Sequence, residues 1–478
     1  MATILTATKV LTSKGYAVLK TSISTDELDK IRKELTMSPI VLTRYAGAAG
    51  SLSFPIYQES PSRLYVPRKW GLLHFGPPEI DIVPEGLCLP YSIQFTGKPF
   101  AYQEVIIQSF MNKGANGIIC IPCGRGKTFI AIYLAILIGK RFLIVVDKEF
   151  LMNQWKEELC KFASGIRVGI LQGPVSEIDP EKYDCTICMI QTICNKDFTD
   201  KFFGEYGFTI FDECHHLGAQ HFSGTLRKIQ TRYMLGLSAT PERDDGMTKV
   251  FEHFLGESVY RETREPDPTV AVRAVWYKND DDDYTKEPTD WRGELVIARL
   301  MTQITGFRPR TDRIIEIVKD LASNAKRKIL VLSERREHLR EIHNVICGTS
   351  TYTCGFYIGG MKQEELNNNA QNCQILFGTY AMASEAMNIK ALNTMVMASP
   401  RKKVEQSTGR ILRVSASERT VDPLIVDIVD QHEIYIRQWY QRQRYYTKCE
   451  YSIKYEGRCK PIKTELDNEI QSRCMIKC

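Results

Sequence analysis

Between residues 116 and 260 short apolar runs alternate with stretches whose apolar positions recur every three or four residues. The runs at 117–121, 141–146, 186–190, 208–211 and 234–237 predict strands, and the stretches at 128–138 and 148–162 predict helices between them. After a polar segment containing the acidic run Asp280–Asp283, the alternation resumes. It predicts a helix at 311–322 and strands at 328–332, 374–377, 394–398 and 423–429. Strand–helix alternation at this spacing makes a parallel sheet with helices on both faces. The expected fold class is therefore α/β, with two tandem parallel-sheet domains at 93–262 and 263–430.

The flanks differ in texture. Residues 1–92 open with a helix pattern at 25–35, capped by Ser24 or Thr25, and continue through a Gly/Ser/Pro-rich stretch into a basic and aromatic one. They read as an N-terminal accessory domain. Residues 431–478 form a short basic-aromatic C-terminal tail, helical at its start.

Composition narrows the picture little. The 478 residues are 43% hydrophobic and 25% charged, an ordinary globular balance. A formal net charge of +6 permits a polyanionic partner without requiring one. No apolar run approaches the ~18 residues of a membrane span, and Lys9 and Lys14 interrupt the N-terminus before any signal-peptide core. Fifteen cysteines without such a signal read as reduced thiols of an intracellular protein, cytoplasmic or nuclear.

The chemistry sits where predicted strands end. Pro122-Cys123-Gly124-Arg125-Gly126-Lys127-Thr128 follows one strand and opens a helix. Glycines let backbone N–H groups close around phosphates, and the helix N-terminus adds its dipole. Lys127 would reach the β/γ-phosphates of ATP, and the Thr128 hydroxyl would ligate Mg²⁺. The first glycine of the usual phosphate loop is replaced by Ile121.

Strand 208–211 runs into Asp212-Glu213-Cys214-His215. An aspartate there lies at the rim that carries the phosphate loop and can hold Mg²⁺, while Glu213 orients and deprotonates water. Ser238-Ala239-Thr240 closes the next strand. Gln406-x-x-Gly409-Arg410-x-x-Arg413 puts two arginines one helical turn apart, the arrangement of arginine fingers or of a plain basic helix face.

In order, these motifs resemble those of the superfamily-2 helicases of the DExH group, which have two RecA-like domains. Gln103 resembles the adenine-reading glutamine, Pro122–Thr128 motif I, Val145–Trp155 motif Ia, Asp212–His215 motif II and Ser238–Thr240 motif III. Ser333–Leu339 resembles motif IV, Thr379–Ile389 motif V and Gln406–Arg413 motif VI. The stretch Gly236-Leu237-Ser238-Ala239-Thr240-Pro241-x-Arg243-x-Asp245-Gly246 is most similar to XPB/Ssl2-like DNA helicases, a subgroup that includes the poxvirus transcript-release helicase.

The resemblance implies an ATP-dependent DNA helicase or translocase serving viral transcription, replication or repair, with polymerase or transcription partners and a viral factory or virion as further locations. Asp212, Glu213, His215, Arg410 and Arg413 would be catalytic. Ser238, Ala239, Thr240 and Gln406 would couple hydrolysis to movement, and Lys148, Gln191, Thr192, Arg335 and Thr379 would touch the strand. Motif V departs from the family, reading Glu385-Ala386-Met387-Asn388 where Glu-Gly and then Asp are usual. Asn388 removes a carboxylate that could pair with the finger arginines.

Several features keep two readings. Gln191 and Thr192 also suit strand-end capping. In the tail, Arg437, Trp439, Tyr440, Arg442, Arg444 and Tyr445 suit either stacking on a nucleic-acid strand or a helix docked on the second domain. Asp280–Asp283 reads as a solvated loop, and Cys449, Cys459, Cys474 and Cys478 as scattered thiols rather than a zinc site. An RNA helicase with the same lobes and a nucleic-acid-binding ATP switch of negligible turnover are the rival functions; a third, a restriction-type translocase subunit, is disfavoured because no nuclease motif is evident and partners would have to supply cleavage.

Overall fold

The computed structural model describes residues 6–457 except 41–52, 123, 200–201, 244, 263–264, 350, 386, 388 and 415–417, with backbone only at 384 and 385. The chain divides into two units, Met1–Thr263 and Arg264–Cys478.

The first unit begins with strands β1 (Lys9–Thr12), β2 (Gly15–Leu19) and β3 (Arg63–Val66), which form a mostly antiparallel sheet with two short strands at its edges. Helix α1 (Thr25–Glu34) starts where the Ser24 side chain accepts from Glu27 N–H, the predicted cap. Helix α2 (Arg68–Phe75) follows β3.

Then come α3 (Ala101–Asn112), β4 (Asn116–Cys120), α4 (Lys127–Ile138), β5 (Phe142–Val146), α5 (Glu149–Phe162), β6 (Val168–Gln172) and β7 (Cys185–Met189). Strands β8 (Phe208–Phe211) and β9 (Tyr233–Ser238), helix α6 (Thr248–Leu255) and β10 (Ser258–Arg261) complete the unit. The sheet order is β6-β7-β5-β8-β9-β4-β10, all parallel, with the antiparallel edge strand Val175–Ser176 beyond β6. Strands β5 and β7 are buried at every position, the continuous apolar pattern of a sheet covered on both faces.

The N-terminal sheet and the parallel sheet of this unit share one core. Leu11, Tyr16 and Val18 lie in the same buried cluster as Trp70 of α2, Phe251 and Phe254 of α6, and Ile118 of β4. Buried Arg68 donates to the carbonyls of Thr231 (2.8 Å) and Arg232 (3.0 Å), so its charge is met by backbone dipoles.

The second unit holds β11 (Ala271–Tyr277), α7 (Ile297–Gly306), α8 (Arg308–Ala322), β12 (Ile329–Ser333), α9 (Arg336–Thr349), β13 (Cys354–Tyr357) and β14 (Ile375–Thr379). After these come β15 (Thr394–Met397), α10 (Glu405–Thr408), β16 (Leu424–Asp430), α11 (Glu433–Lys448) and β17 (Ser452–Glu456). Its seven strands run parallel in the order β13-β14-β12-β15-β16-β11-β17. Both units are thus RecA-like parallel sheets.

The predicted strands exist, most of them shifted by one residue, because pattern marks where burial begins rather than where pairing begins. Strands β6, β10, β11, β13 and β17 were not predicted. Their alternating or half-buried patterns, such as iBiBi in β6, carry a weaker signal than a continuous apolar run. The tail supplies β17 to the second sheet, and α11 packs beneath it.

Two buried ion pairs tie this unit. Arg310 on α8 grips Asp430 at the end of β16, with Nη2 2.9 Å from Oδ2. Arg442 on α11 grips Asp427, with Nε and Nη2 at 2.7 and 2.8 Å from its two oxygens. Trp439 is fully buried and Arg442 nearly so. That decides the tail: these two residues dock a helix, and they are not a stacking surface for a strand. Charge and ring were consumed by packing.

Among the described residues no helix is long and apolar enough to cross a membrane, and no group of three His, Cys, Asp or Glu side chains is placed to hold a metal. The acidic run caps a short helix, with Asp281 accepting from Asp283 N–H. Cys459, Cys474 and Cys478 lie outside the described residues; Cys449 is buried.

Candidate active site

At the carboxyl ends of β4, β8 and β9 the first unit gathers its chemistry. The turn after β4 places Gly124 (φ 89°) and Gly126 (φ 81°) in the left-handed region, and α4 begins at Lys127. A Cβ at Gly126 would stand 2.6 Å from Gln103 Nε2, so glycine is needed for the α3 glutamine to lie against the loop. Gln103 Oε1 accepts from Phe100 N–H (3.0 Å), and its Nε2 donates to the Arg125 carbonyl (3.4 Å). Arg125 in turn lies 4.0 Å over the Tyr102 ring and 2.7 Å from Glu262. Pro122 and Thr128 flank this loop as expected; Cys123 is outside the described residues.

Lys127 Nζ is 3.2 Å from Glu213 Oε1. Glu213 itself adopts φ 43°, a left-handed conformation that costs a non-glycine residue about 1–3 kcal/mol. Its neighbour Asp212 accepts from Trp155 Nε1 (2.8 Å) and, through Oδ1, from Glu213 N–H (3.0 Å). Burial, reinforced by the Glu213 charge, pushes Asp212 up to about 6. For Glu213, burial acts upward, but Lys127 and the flanking histidines outweigh it and its pKa falls. Among the described residues its Oε2 accepts no hydrogen bond, and it lies 3.4 Å from His215 Nδ1.

Two buried carboxylates therefore face one lysine. That surplus of hard oxygen donors, with the Thr128 hydroxyl on the adjoining helix, fits a divalent cation such as Mg²⁺. A cation held there would supply positive charge to stabilise the charge that develops on ATP during hydrolysis.

Motif III is wired to motif II. His215 Nδ1 is 3.0 Å from Ser238 Oγ, which also accepts from Thr240 N–H (3.2 Å). Burial pushes His215 down to about 4, so the imidazole is neutral at physiological pH. Ala239 lies in the turn between them. Arg243 Nη1 donates to the His215 carbonyl (2.7 Å), while its Nε pairs with Asp245 at 2.9 Å. A Cβ at Gly218 would meet Arg243 Cδ at 2.6 Å, so this glycine makes the arginine's passage possible. The motifs by themselves assign no role to Trp155, Glu262 or Gly218. Only Trp155 carried a signal, as the aromatic closing the motif Ia stretch.

The residues proposed for strand contact are spread along the carboxyl rims of both sheets. Thr192 accepts from Gly173 N–H (2.9 Å) and is buried, and Gln191 donates to the Asp147 carbonyl (2.8 Å). Both thus cap local backbone. Lys148 precedes α5 with its amine 3.9 Å from Asp147. Arg335 donates to the Ala298 carbonyl (2.9 Å) and to Thr302 Oγ1 (3.2 Å), and Thr379 closes β14.

In the second unit Gln406 stands on α10, with Arg410 and Arg413 after it. Both arginines donate to the Met387 carbonyl, at 2.9 and 2.8 Å, which links motif VI to motif V. Ala386 and Asn388 lie outside the described residues.

A family model described as type III restriction enzyme, res subunit, matches residues 96–243, the stretch from before the phosphate loop to Arg243. A protein of Acanthamoeba polyphaga mimivirus named as an ATP-dependent RNA helicase, L396, is 30% identical over 457 residues, 93% of this chain and 86% of that protein. An African swine fever virus protein (isolate Tick/Malawi/Lil 20-1/1983) named as an ATP-dependent RNA helicase, QP509L, is 27% identical over 69% of this chain and 68% of its own length. Among solved structures, the Pyrococcus furiosus Hef helicase domain aligns with a TM-score of 0.46 at 16% identity, covering 72% of this chain and 98% of that one. Given a relative 30% identical along nearly its whole length, the chain belongs to the superfamily-2 helicases, enzymes that couple ATP hydrolysis to work on nucleic acid.

Proposed function

We propose that the protein is a DNA-directed motor of this family. ATP is cradled by the 122–128 loop with Lys127 on its phosphates, and Asp212 and Thr128 would hold the accompanying Mg²⁺. Glu213 activates the attacking water. The observation that carries the reading is the Lys127–Glu213–Asp212 cluster with its link through His215 to Ser238. It brings the phosphate loop, the water-activating carboxylate and the motif III turn into one line of contacts, hydrogen-bonded at Lys127–Glu213 and His215–Ser238 and electrostatic across the 3.4 Å step between Glu213 and His215. When the γ-phosphate departs, Lys127 loses an anionic partner and is left to Glu213, and His215, beside Glu213, passes the change to the turn at Ser238–Thr240.

Arg410 and Arg413 are assigned to the γ-phosphate from their motif. Release from the Met387 carbonyl is the local change that role requires.

DNA is preferred because the 236–246 stretch resembles the DNA-acting subgroup, and the Arg243–Asp245 pair holds that stretch in shape. The names of the viral relatives favour RNA as the second reading. The test is ATP turnover by wild type and Glu213→Gln, without nucleic acid and with single- or double-stranded DNA or RNA. DNA-stimulated turnover lost in the variant supports the proposal; stimulation by RNA alone replaces it with the second reading.

A further inference from the structure

Five tryptophans occur in the chain. Trp70, Trp155 and Trp439 are buried and Trp276 is partly buried, whereas Trp291 is 85% exposed. Leaving an indole in water forgoes one of the largest burial gains a side chain offers. Its setting shows that the exposure is built rather than incidental.

Trp291 sits at the tip of a tight reversal in which Thr289 pairs antiparallel with Leu295. Asp290 Oδ1 accepts from Arg292 N–H (2.8 Å) and Glu294 N–H (2.9 Å), and Gly293 (φ 77°) makes the bend. The base of the reversal is closed by Val296 N–H to the Pro288 carbonyl (2.8 Å). The Arg292 guanidinium lies 4.3 Å from the indole centroid.

The reversal follows the carboxyl end of β11 after a connection that contains the short helix Asp282–Thr285. Strands β11, β12 and β14 are parallel, so this is the edge that also carries Arg335 after β12 and Thr379 at the end of β14. Helix α7, which follows the reversal directly, receives both hydrogen bonds of Arg335, through Ala298 and Thr302. On its other side the connection is stitched down by Gln303 Nε2 to the Lys286 carbonyl (2.9 Å) and by buried Tyr284 OH to Asp430 (2.6 Å).

We infer that Trp291, backed by Arg292, is a base-stacking site for the single-stranded nucleic acid on which the enzyme acts. A rigid platform fixed to the rim of the strand-contact positions, with a flat π-surface in water and a cation beside it, suits a nucleobase of any identity. Sequence-independent stacking is what a motor needs from a contact it must release at each step. This inference rests on the nucleic-acid-directed activity proposed above.

The experiment is binding of a single-stranded oligonucleotide to the full-length protein, read by tryptophan emission and by anisotropy of a labelled strand. Wild-type emission should be quenched on binding. In Trp291→Phe the quench should vanish while affinity is largely kept. Trp291→Ala should weaken binding roughly 5- to 150-fold, the range for loss of one stacked base. Its salt dependence should keep the wild-type slope, since no phosphate contact is lost. Turnover without nucleic acid should be unchanged in both variants.

Wild-type affinity in Trp291→Ala, or a quench that persists in Trp291→Phe, overturns the inference and leaves the motor reading intact. A changed salt slope overturns it in favour of a phosphate contact at Arg292. Absence of any strand binding by wild type overturns both.

Discussion

The indole Nε1 of Trp155 donates a 2.8 Å hydrogen bond to Oδ2 of Asp212, joining α5 to the carboxylate assigned to Mg²⁺. Trp155 is itself nearly fully buried, so the donor has no freedom to leave. Trp155→Phe keeps the ring in the core and removes only the donor. ATP turnover is expected to fall about 10- to 100-fold, the usual cost of losing an orienting partner of a metal ligand. Steady-state kinetics over a Mg²⁺ titration checks this, and a thermal midpoint near wild type shows that the fold is kept.

Asp212 is held at a cost to stability. Its folded pKa of about 6 stands above its ordinary value of 3.8, so the fold favours the protonated form. The stability this group contributes is present below pH 3.8 and is lost as pH rises through 6. Asp212→Asn should abolish turnover and yet raise the melting temperature at pH 7.5. The gain should shrink as pH is lowered through 6, which paired melting curves at the two pH values would reveal.

Two histidines act in the opposite direction. Burial pushes His215 to about 4 and His338, bonded through Nδ1 to Ser333, to about 3. The unfolded chain takes up these protons near 6.5, so their stabilising effect is lost as pH falls from 6.5 toward 4. Acid destabilisation across that window should be steeper in Asp212→Asn, where the opposing carboxyl is gone. Differential scanning calorimetry from pH 7 to 4.5 measures it.

Ser238→Ala removes the partner of His215 without touching the phosphate loop. Hydrolysis should stay within a few-fold of wild type while strand displacement per ATP falls. Turnover and displacement measured on the same preparation decide the point; parallel loss of both would show that Ser238 serves catalysis directly.

The Arg442–Asp427 pair is buried on both sides. Arg442→Ala strands a carboxylate in the core and should lower the stability of the second unit by about 3–5 kcal/mol. Urea unfolding followed by Trp439 fluorescence checks this.

Much of the site was legible because its parts are local. Lys127, Asp212, Glu213 and Ser238 each sit within a few residues of a strand's carboxyl end, and an apolar run followed by Gly or Asp announces such an end. Parallel pairing then brings those ends to one rim, so sequence position nearly implies spatial neighbourhood.

The chain alone determined the alternation of strands and helices, the two parallel sheets and the residues at their rims, because burial on both faces imposes continuous apolar runs that can be read directly. Tertiary structure decided what depends on partners distant in sequence. Trp155 reaches Asp212, Arg125 lies between Tyr102 and Glu262, and the tail's Trp439 and Arg442 turn inward while Trp291 stays in water. An indole or a guanidinium is amphipathic, with a broad apolar surface and a polar end, and local pattern is the same whether it packs or projects. Only the position of a carboxylate such as Asp427, or the lack of a covering element among the described residues, settles which occurs.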